Sequence, residues 1–221
     1  MRTWIKFCGT TSLEDAMASI DAGADALGFI FAPSKRRIAP EKAQEIVRGL
    51  TGNIERVGVF VDESADRICE IVSKVGLSAV QLHGSESARF VAQLKSQCLE
   101  APSVRVIKTV VIEGDFQLRL KEFLNASSRP DAILLDSGAG SGQSFEWQGV
   151  QSFISGTEMQ FIVAGGLNPQ NVGMALRMFR PYGVDVVSGV ESAPGKKDPE
   201  KLSAFVAAVR NAEKEAWAAQ H

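Results

Sequence analysis

Phe161-Ile162-Val163-Ala164-Gly165-Gly166-Leu167-Asn168-Pro169-Gln170-Asn171 falls into three parts. Four apolar residues make a short strand, and two glycines break it. Asn168 then offers a helix cap, with Pro169 at the first helical position, where a missing N–H costs nothing. Glycines let bare backbone N–H groups approach a ligand, and a helix N-terminus favours negative charge. Strand, Gly-Gly loop and capped helix together read as a phosphate cradle. A tight strand-to-helix turn needing positive φ is the plainer alternative.

Working outward, the same strand-then-helix pattern recurs along the chain. Apolar runs rich in Val, Ile, Leu and Phe occur at Trp4–Phe7, Ala26–Phe31, Arg56–Val61, Ala79–Leu82, Val104–Val111, Ala132–Leu135, Phe161–Ala164 and Val184–Val187. Such runs suit strands buried on both faces. Between them, apolar residues fall at i, i+3, i+4, i+7: Leu13, Ala16, Met17 and Ile20; Ala43, Ile46, Val47 and Leu50; Ile68, Ile71, Val72 and Val75. Val172, Ala175, Leu176 and Phe179 repeat the spacing, as do Leu202, Phe205, Val206 and Val209. Each set makes one stripe able to lie on a sheet. Phe90, Val91 and Leu94 fit loosely, Phe116, Leu120, Phe123 and Leu124 fit a longer template, and Trp147–Ile154 is a weak helix. Thr11 with Glu14 has capping-box spacing, and Asp198-Pro199 is a second cap pair.

Bulk properties narrow the class. The 221 residues are 45% hydrophobic and 23% charged, with mean hydropathy +0.01, an ordinary globular balance. A formal net charge of -2 gives no reason to expect nucleic acid or an acidic membrane as partner. No apolar run approaches the roughly 18 residues that span a bilayer, and Met1–Trp4 leads into a strand without a signal-peptide core. Cys8, Cys69 and Cys98 are odd in number and lack CxxC spacing. They are expected to be reduced thiols in a cytoplasm, with no zinc site.

Eight strand–helix units without a linker predict one domain over residues 1–221, an α/β fold of the (β/α)₈ TIM-barrel type, with 213–221 a helical or frayed extension. An open doubly wound sheet is the rival. The glycine loops favour the barrel, because barrels commonly bind phosphate between the loops after strands seven and eight. Here those strands lead into Gly165-Gly166 and Ser188-Gly189.

In a barrel, chemistry lies where strands end. Cys8, before Gly9-Thr10-Thr11-Ser12 and a helix, is either a base or nucleophile with a favoured thiolate or a buried structural cysteine. Asp136 follows Ile133-Leu134-Leu135 and precedes a glycine-rich run. It is either a desolvated acid holding a proton or a turn cap. Arg36-Arg37 offers planar forks suited to a carboxylate, unless it is a solvated basic loop. His83 reads more simply as a satisfied histidine beside a turn than as an acid–base group. Lys6 lies two residues before Cys8 and therefore on the same side of its strand. Lys6 and Lys108 are Schiff-base candidates, although inward barrel lysines are more often paired with carboxylates.

Taken in order, Lys6-Phe7-Cys8-Gly9-Thr10-Thr11, Gly23–Phe31, Val57–Val61, Val80–Gly84, Leu134-Leu135-Asp136, Gly140-Ser141-Gly142 with Phe145-Glu146-Trp147, Ala164–Pro169 and Asp185–Glu191 resemble the phosphoribosylanthranilate isomerase family. The resemblance runs from Ile5 to about Phe205. It implies an enzyme of tryptophan biosynthesis that converts N-(5-phosphoribosyl)anthranilate to its 1-deoxyribulose isomer by an Amadori rearrangement, without metal or cofactor. It further implies Cys8 as general base, Asp136 as general acid and Arg36 on the anthranilate carboxylate. Gly165, Gly166, Ser188 and Gly189 fall on the phosphate loops, and Asp185 on an active-site aspartate that binds substrate. Arg37 replaces a frequent aromatic residue and Gln143 a frequent lysine, which touches loop contacts rather than the reaction.

The expected partner is the small substrate alone, with the protein a cytoplasmic monomer or homodimer. The competing readings are a Schiff-base aldolase acting on a sugar phosphate, and a non-catalytic barrel that only binds phosphate ligands.

Overall fold

The computed structural model describes residues 2–97, 104–138 and 157–218. Eight parallel strands form a closed barrel in sequence order: β1 Trp4–Cys8, β2 Ala26–Ile30, β3 Glu55–Phe60, β4 Ala79–Leu82, β5 Arg105–Val111, β6 Ala132–Asp136, β7 Gln160–Ala164 and β8 Gly183–Val186. Closure by β1 pairing β8 rules out the open sheet. The helices described are α1 Leu13–Ala22, α2 Pro40–Arg48, α3 Ala65–Val75, α4 Ala88–Gln97, α5 Phe116–Asn125, α6 Val172–Phe179 and α7 Pro199–Ala218. A short hairpin, β9 Glu191–Ala193 and β10 Lys196–Lys197, lies between β8 and α7. The weak helix expected near Trp147–Ile154 lies outside the described residues.

Two apolar layers follow from the period-2 alternation of the strands. Trp4, Ala26, Val57, Ala79, Ile107, Ala132, Leu134, Ile162 and Ala164 fill the barrel. Ile5, Phe7, Ile133, Leu135, Phe161, Val163, Val184 and Val186 face outward and pack with the helices. Phe7 meets Phe205 of α7 edge to face at 5.9 Å between centroids. Parity decides the rest: if Trp4 and Leu134 point inward, so do Lys6, Cys8 and Asp136.

Three local readings are corrected. The first helix is capped by Ser12, whose hydroxyl accepts from Asp15 N at 3.1 Å. Thr11 instead donates to Gly195 O at 2.6 Å, tying β1's loop to the hairpin. Asn168 does accept from the N–H groups of Gln170 and Asn171, but this closes a turn, and α6 begins only at Val172 with Asn171 as cap. Cys69 is disulfide-bonded, so the expectation of three reduced thiols fails. The odd count and the missing CxxC spacing speak only against a local bridge, not against one between distant positions. Cys98 lies outside the described residues.

Candidate active site

Cys8 ends β1 and is buried, yet it is a free thiol. Its strand neighbour across the β1–β2 ladder is Gly28, where an added Cβ would stand 2.6 Å from the Cys8 sulfur. The missing side chain is the space the thiol occupies. Beneath it, Lys6 and Asp185 are partners in the β1–β8 register and form a buried ion pair, Nζ to Oδ1, at 2.9 Å. Burial opposes the charge on Lys6, but Asp185 and Cys8 outweigh it and hold the ammonium above its ordinary value. Burial also pushes the Cys8 thiol up, against the attraction and hydrogen bond of Lys6. The helix-terminus argument for a favoured thiolate is therefore overridden by desolvation, and Lys6 is the main group that restores thiolate character.

Asp136 ends β6, three strands from β1 in the closed order through β7 and β8. Its Oδ1 accepts from Gly138 N at 2.9 Å, and its Oδ2 lies 3.6 Å from His83 Nε2. His83 follows β4. The Gln81 amide reaches its Nδ1 at 3.1 Å and Thr109 Oγ1 lies at 3.3 Å. With the Gln81 amide donating, Nδ1 accepts and the ring proton sits on Nε2, turned to Asp136. Burial holds the His83 pKa below its ordinary value, with Asp136 and Asp185 opposing, so the ring is neutral at neutral pH. Sequence reasoning set His83 aside as a satisfied histidine. The ring is satisfied at Nδ1, but its other nitrogen faces the candidate acid.

The glycine loops meet at one edge of the mouth. Gly165 and Gly166 have φ of 90° and 63°, the left-handed region that favours glycine. An added Cβ on Gly165 would stand 2.7 Å from Asp136 Oδ1, so that loop lies directly against this carboxyl. Ser188 and Gly189 lie in a single 3₁₀ turn after β8, and a Cβ on Gly189 would stand 1.9 Å from Leu167 O. The two loops thus touch through backbone.

Arg36 crosses from the loop after β2 to the loop after β8. Its Nε lies 2.9 and 3.0 Å from the two oxygens of Glu191, and its Nη2 lies 2.6 Å from Oε2. Burial opposes the Glu191 charge, but Arg36 and Lys197 outweigh it and keep the carboxylate below its ordinary pKa. Arg37 is not part of this contact; its backbone instead bridges Ile30. Glu191 and Lys197 were not read as functional in the sequence, because a pairing across 155 residues leaves no local pattern.

The two Schiff-base candidates are both engaged. Lys6 is held protonated, and a protonated amine is not a nucleophile. Burial lowers the Lys108 pKa, but its Nζ donates to Glu86 Oε2 and Gly84 O, each at 2.7 Å. That clamps the loop carrying His83. Among the described residues no group of three or more His, Cys, Asp or Glu side chains is placed to hold a metal ion. No helix among them is long and apolar enough to cross a membrane.

A closed (β/α)₈ barrel with a thiol, a carboxyl, paired glycine loops and an arginine around its C-terminal mouth defines an enzyme of the phosphate-binding barrel class, equipped for acid–base chemistry. Comparison with known proteins narrows this. Residues 5–208 match the family model described as N-(5'phosphoribosyl)anthranilate (PRA) isomerase. The isomerase of Thermotoga neapolitana is 43% identical over 210 residues, covering 91% of this chain and 96% of that protein. That of Desulforudis audaxviator is 40% identical over 216 residues, covering 95% and 99%. The crystal structure of the Thermotoga maritima enzyme superposes with a TM-score of 0.82 at 39% identity, covering 95% of this chain and 99% of that one. A phosphoribosyl anthranilate isomerase bound to reduced 1-(o-carboxyphenylamino)-1-deoxyribulose 5-phosphate superposes at 0.80, with 38% identity and the same coverage. The chain belongs to the N-(5'-phosphoribosyl)anthranilate isomerase family, isomerases that interconvert an aldose and a ketose in tryptophan biosynthesis.

Proposed function

We propose that Cys8 is the general base and Asp136 the general acid of the isomerisation of N-(5'-phosphoribosyl)anthranilate. Arg36 takes the anthranilate carboxylate, and Gly165, Gly166, Ser188 and Gly189 take the phosphate. The observation that carries this reading is the placement of a thiol and a carboxyl at the ends of β1 and β6. Both face one mouth that has a glycine cradle beside Asp136 and an arginine beside Cys8.

Asp136 as the acid gives its proton to the furanose ring oxygen. The bond from C1′ to that oxygen breaks, and the anthranilate nitrogen lone pair forms C1′=N. Cys8 as thiolate removes the C2′ proton; the bonding pair becomes C1′=C2′, and the C=N pair returns to nitrogen. The enolamine then loses its C2′ hydroxyl proton and gains one at C1′, giving the ketone. Atoms and electrons balance by proton transfers alone, so the chemistry calls for no cofactor. Each transfer typically contributes about 10²–10⁴-fold, and fixing the two anionic ends aligns C2′ with the base. Asp185 gives only Oδ1 to Lys6 among the described contacts, which leaves Oδ2 for a sugar hydroxyl.

The chain supplies every one of these groups itself, so monomer and homodimer serve the chemistry equally. A cytoplasmic location suits the free thiol of Cys8 but not the bonded Cys69, since disulfides are rare there.

Substrate deuterated at C2′ tests the assignment of the base. The expected result is a primary isotope effect with the wild type, and loss of C2′ proton exchange in Cys8→Ser. Exchange at the wild-type rate in Cys8→Ser removes Cys8 from the mechanism.

A further inference from the structure

We propose that Glu191 and Lys197 are positioning residues that aim Arg36 and thereby set the preference for an aromatic ring bearing a carboxylate. This rests on the reading of Arg36 as the carboxylate partner. A guanidinium presents five N–H donors on two forked edges. Glu191 occupies the Nε–Nη2 edge through three close contacts, while Nη1 makes no hydrogen bond among the described residues. The second fork, Nη1 with the outer hydrogen of Nη2, is therefore the one presented to a ligand. The Arg36 stem is fixed as well, because it lies over Gly9, where an added Cβ would stand 2.8 Å from Arg36 Cδ.

The charge count explains the lysine. Arg36 and Glu191 alone would be a neutral pair, with little attraction left for an incoming anion. Lys197 is fully buried, donates to Cys8 O and lies 3.3 Å from Glu191 Oε1. Burial lowers the Lys197 pKa, with Glu191 and Cys8 opposing; while Lys197 holds its proton and Cys8 is the thiol, two cations and one anion leave a surplus positive charge at the fork. The hairpin that carries both residues is itself anchored. Lys201 Nζ donates to Glu191 O at 2.7 Å, Lys197 N donates to Asp15 Oδ1 at 3.2 Å, and Thr11 Oγ1 donates to Gly195 O. One ionic yoke thus joins the backbone of the base, Cys8, to the arginine.

The test compares dissociation constants for two stable ligands: reduced 1-(o-carboxyphenylamino)-1-deoxyribulose 5-phosphate, and the same molecule without its carboxyl. Glu191→Gln separates aim from charge. Removing an anion beside Arg36 would tighten carboxylate binding if charge alone mattered, whereas losing the fork that aims Arg36 weakens it. The expected result is a fall of about tenfold or more in affinity for the carboxylate ligand, with the other ligand almost unchanged. Equal or tighter carboxylate binding, or an equal loss for both ligands, overturns the proposal. Lys197→Met serves as a second variant, with the same selective weakening expected and a non-selective effect counting against it. Arg36→Met is the control. If it leaves the preference for the carboxylate intact, the reading of Arg36 itself fails, and the yoke has nothing to aim.

Discussion

The Lys6 ammonium and the Asp185 carboxylate meet at 2.9 Å inside the barrel, almost wholly withdrawn from water, one inward position below Cys8. Removing one partner of a buried pair leaves an uncompensated charge, which typically costs about 3–5 kcal/mol. Lys6→Met is expected to lose stability on that scale in urea unfolding. Adding Asp185→Leu should restore most of it without restoring turnover, because Cys8 has still lost its cation and the sugar hydroxyl its carboxylate. Full activity in the stabilised double variant would show that Lys6 has no part in activating the thiol.

The pH profile follows from the thiol. Burial raises the Cys8 pKa, and the thiolate is the proposed base, so activity is expected to rise with pH through and beyond the range of an ordinary thiol. The Lys6 charge holds that limb down. Lys6→Met should shift it further upward, measured by kcat/KM against pH and by the ultraviolet absorbance of the thiolate. A limb below the ordinary thiol value would contradict the burial argument.

Gly189 has no room for even a methyl group, since a Cβ would stand 1.9 Å from Leu167 O. Gly189→Ala must push the loops after β7 and β8 apart. The expected outcome is an increase in KM of about tenfold or more, from lost backbone contacts to the phosphate, with a fall in affinity for inorganic phosphate as competitor. Unchanged KM and phosphate inhibition would move the phosphate site elsewhere.

His83 faces Asp136 but is neutral and held at Nδ1. His83→Gln keeps a hydrogen-bonding side chain and removes the ring. It is expected to lower kcat by more than it changes KM, because it disturbs the acid rather than the anion sites. Equal changes in both would reduce His83 to a packing role.

How legible was this in the sequence? The barrel was, because strand-like runs recur eight times with helical stripes between most of them, and the glycine pairs fall after strands seven and eight. That Lys6 and Cys8 share one side of β1 follows from parity, and the inward-packed Trp4 shows that this side faces the barrel interior. Capping was less legible. Ser12 and Thr11 are chemically similar neighbours, and it is Ser12 that precedes the helix start at Leu13 while Thr11 turns to Gly195 O. Asn168 kept its capping hydrogen bonds while the helix began later. Least legible were Glu191 and Lys197, which reach Arg36 and Cys8 only after the barrel closes. The net pKa of Cys8 was also out of reach, since desolvation depends on Gly28 and the surrounding strands.

The most direct measurement is turnover of N-(5'-phosphoribosyl)anthranilate by Cys8→Ser and Asp136→Asn, each paired with the dissociation constant of the reduced product analogue. Both variants are expected to lose about 10²-fold or more in kcat while binding the analogue nearly as wild type. Near wild-type kcat in either variant would contradict the account, because that residue would then be neither the acid nor the base.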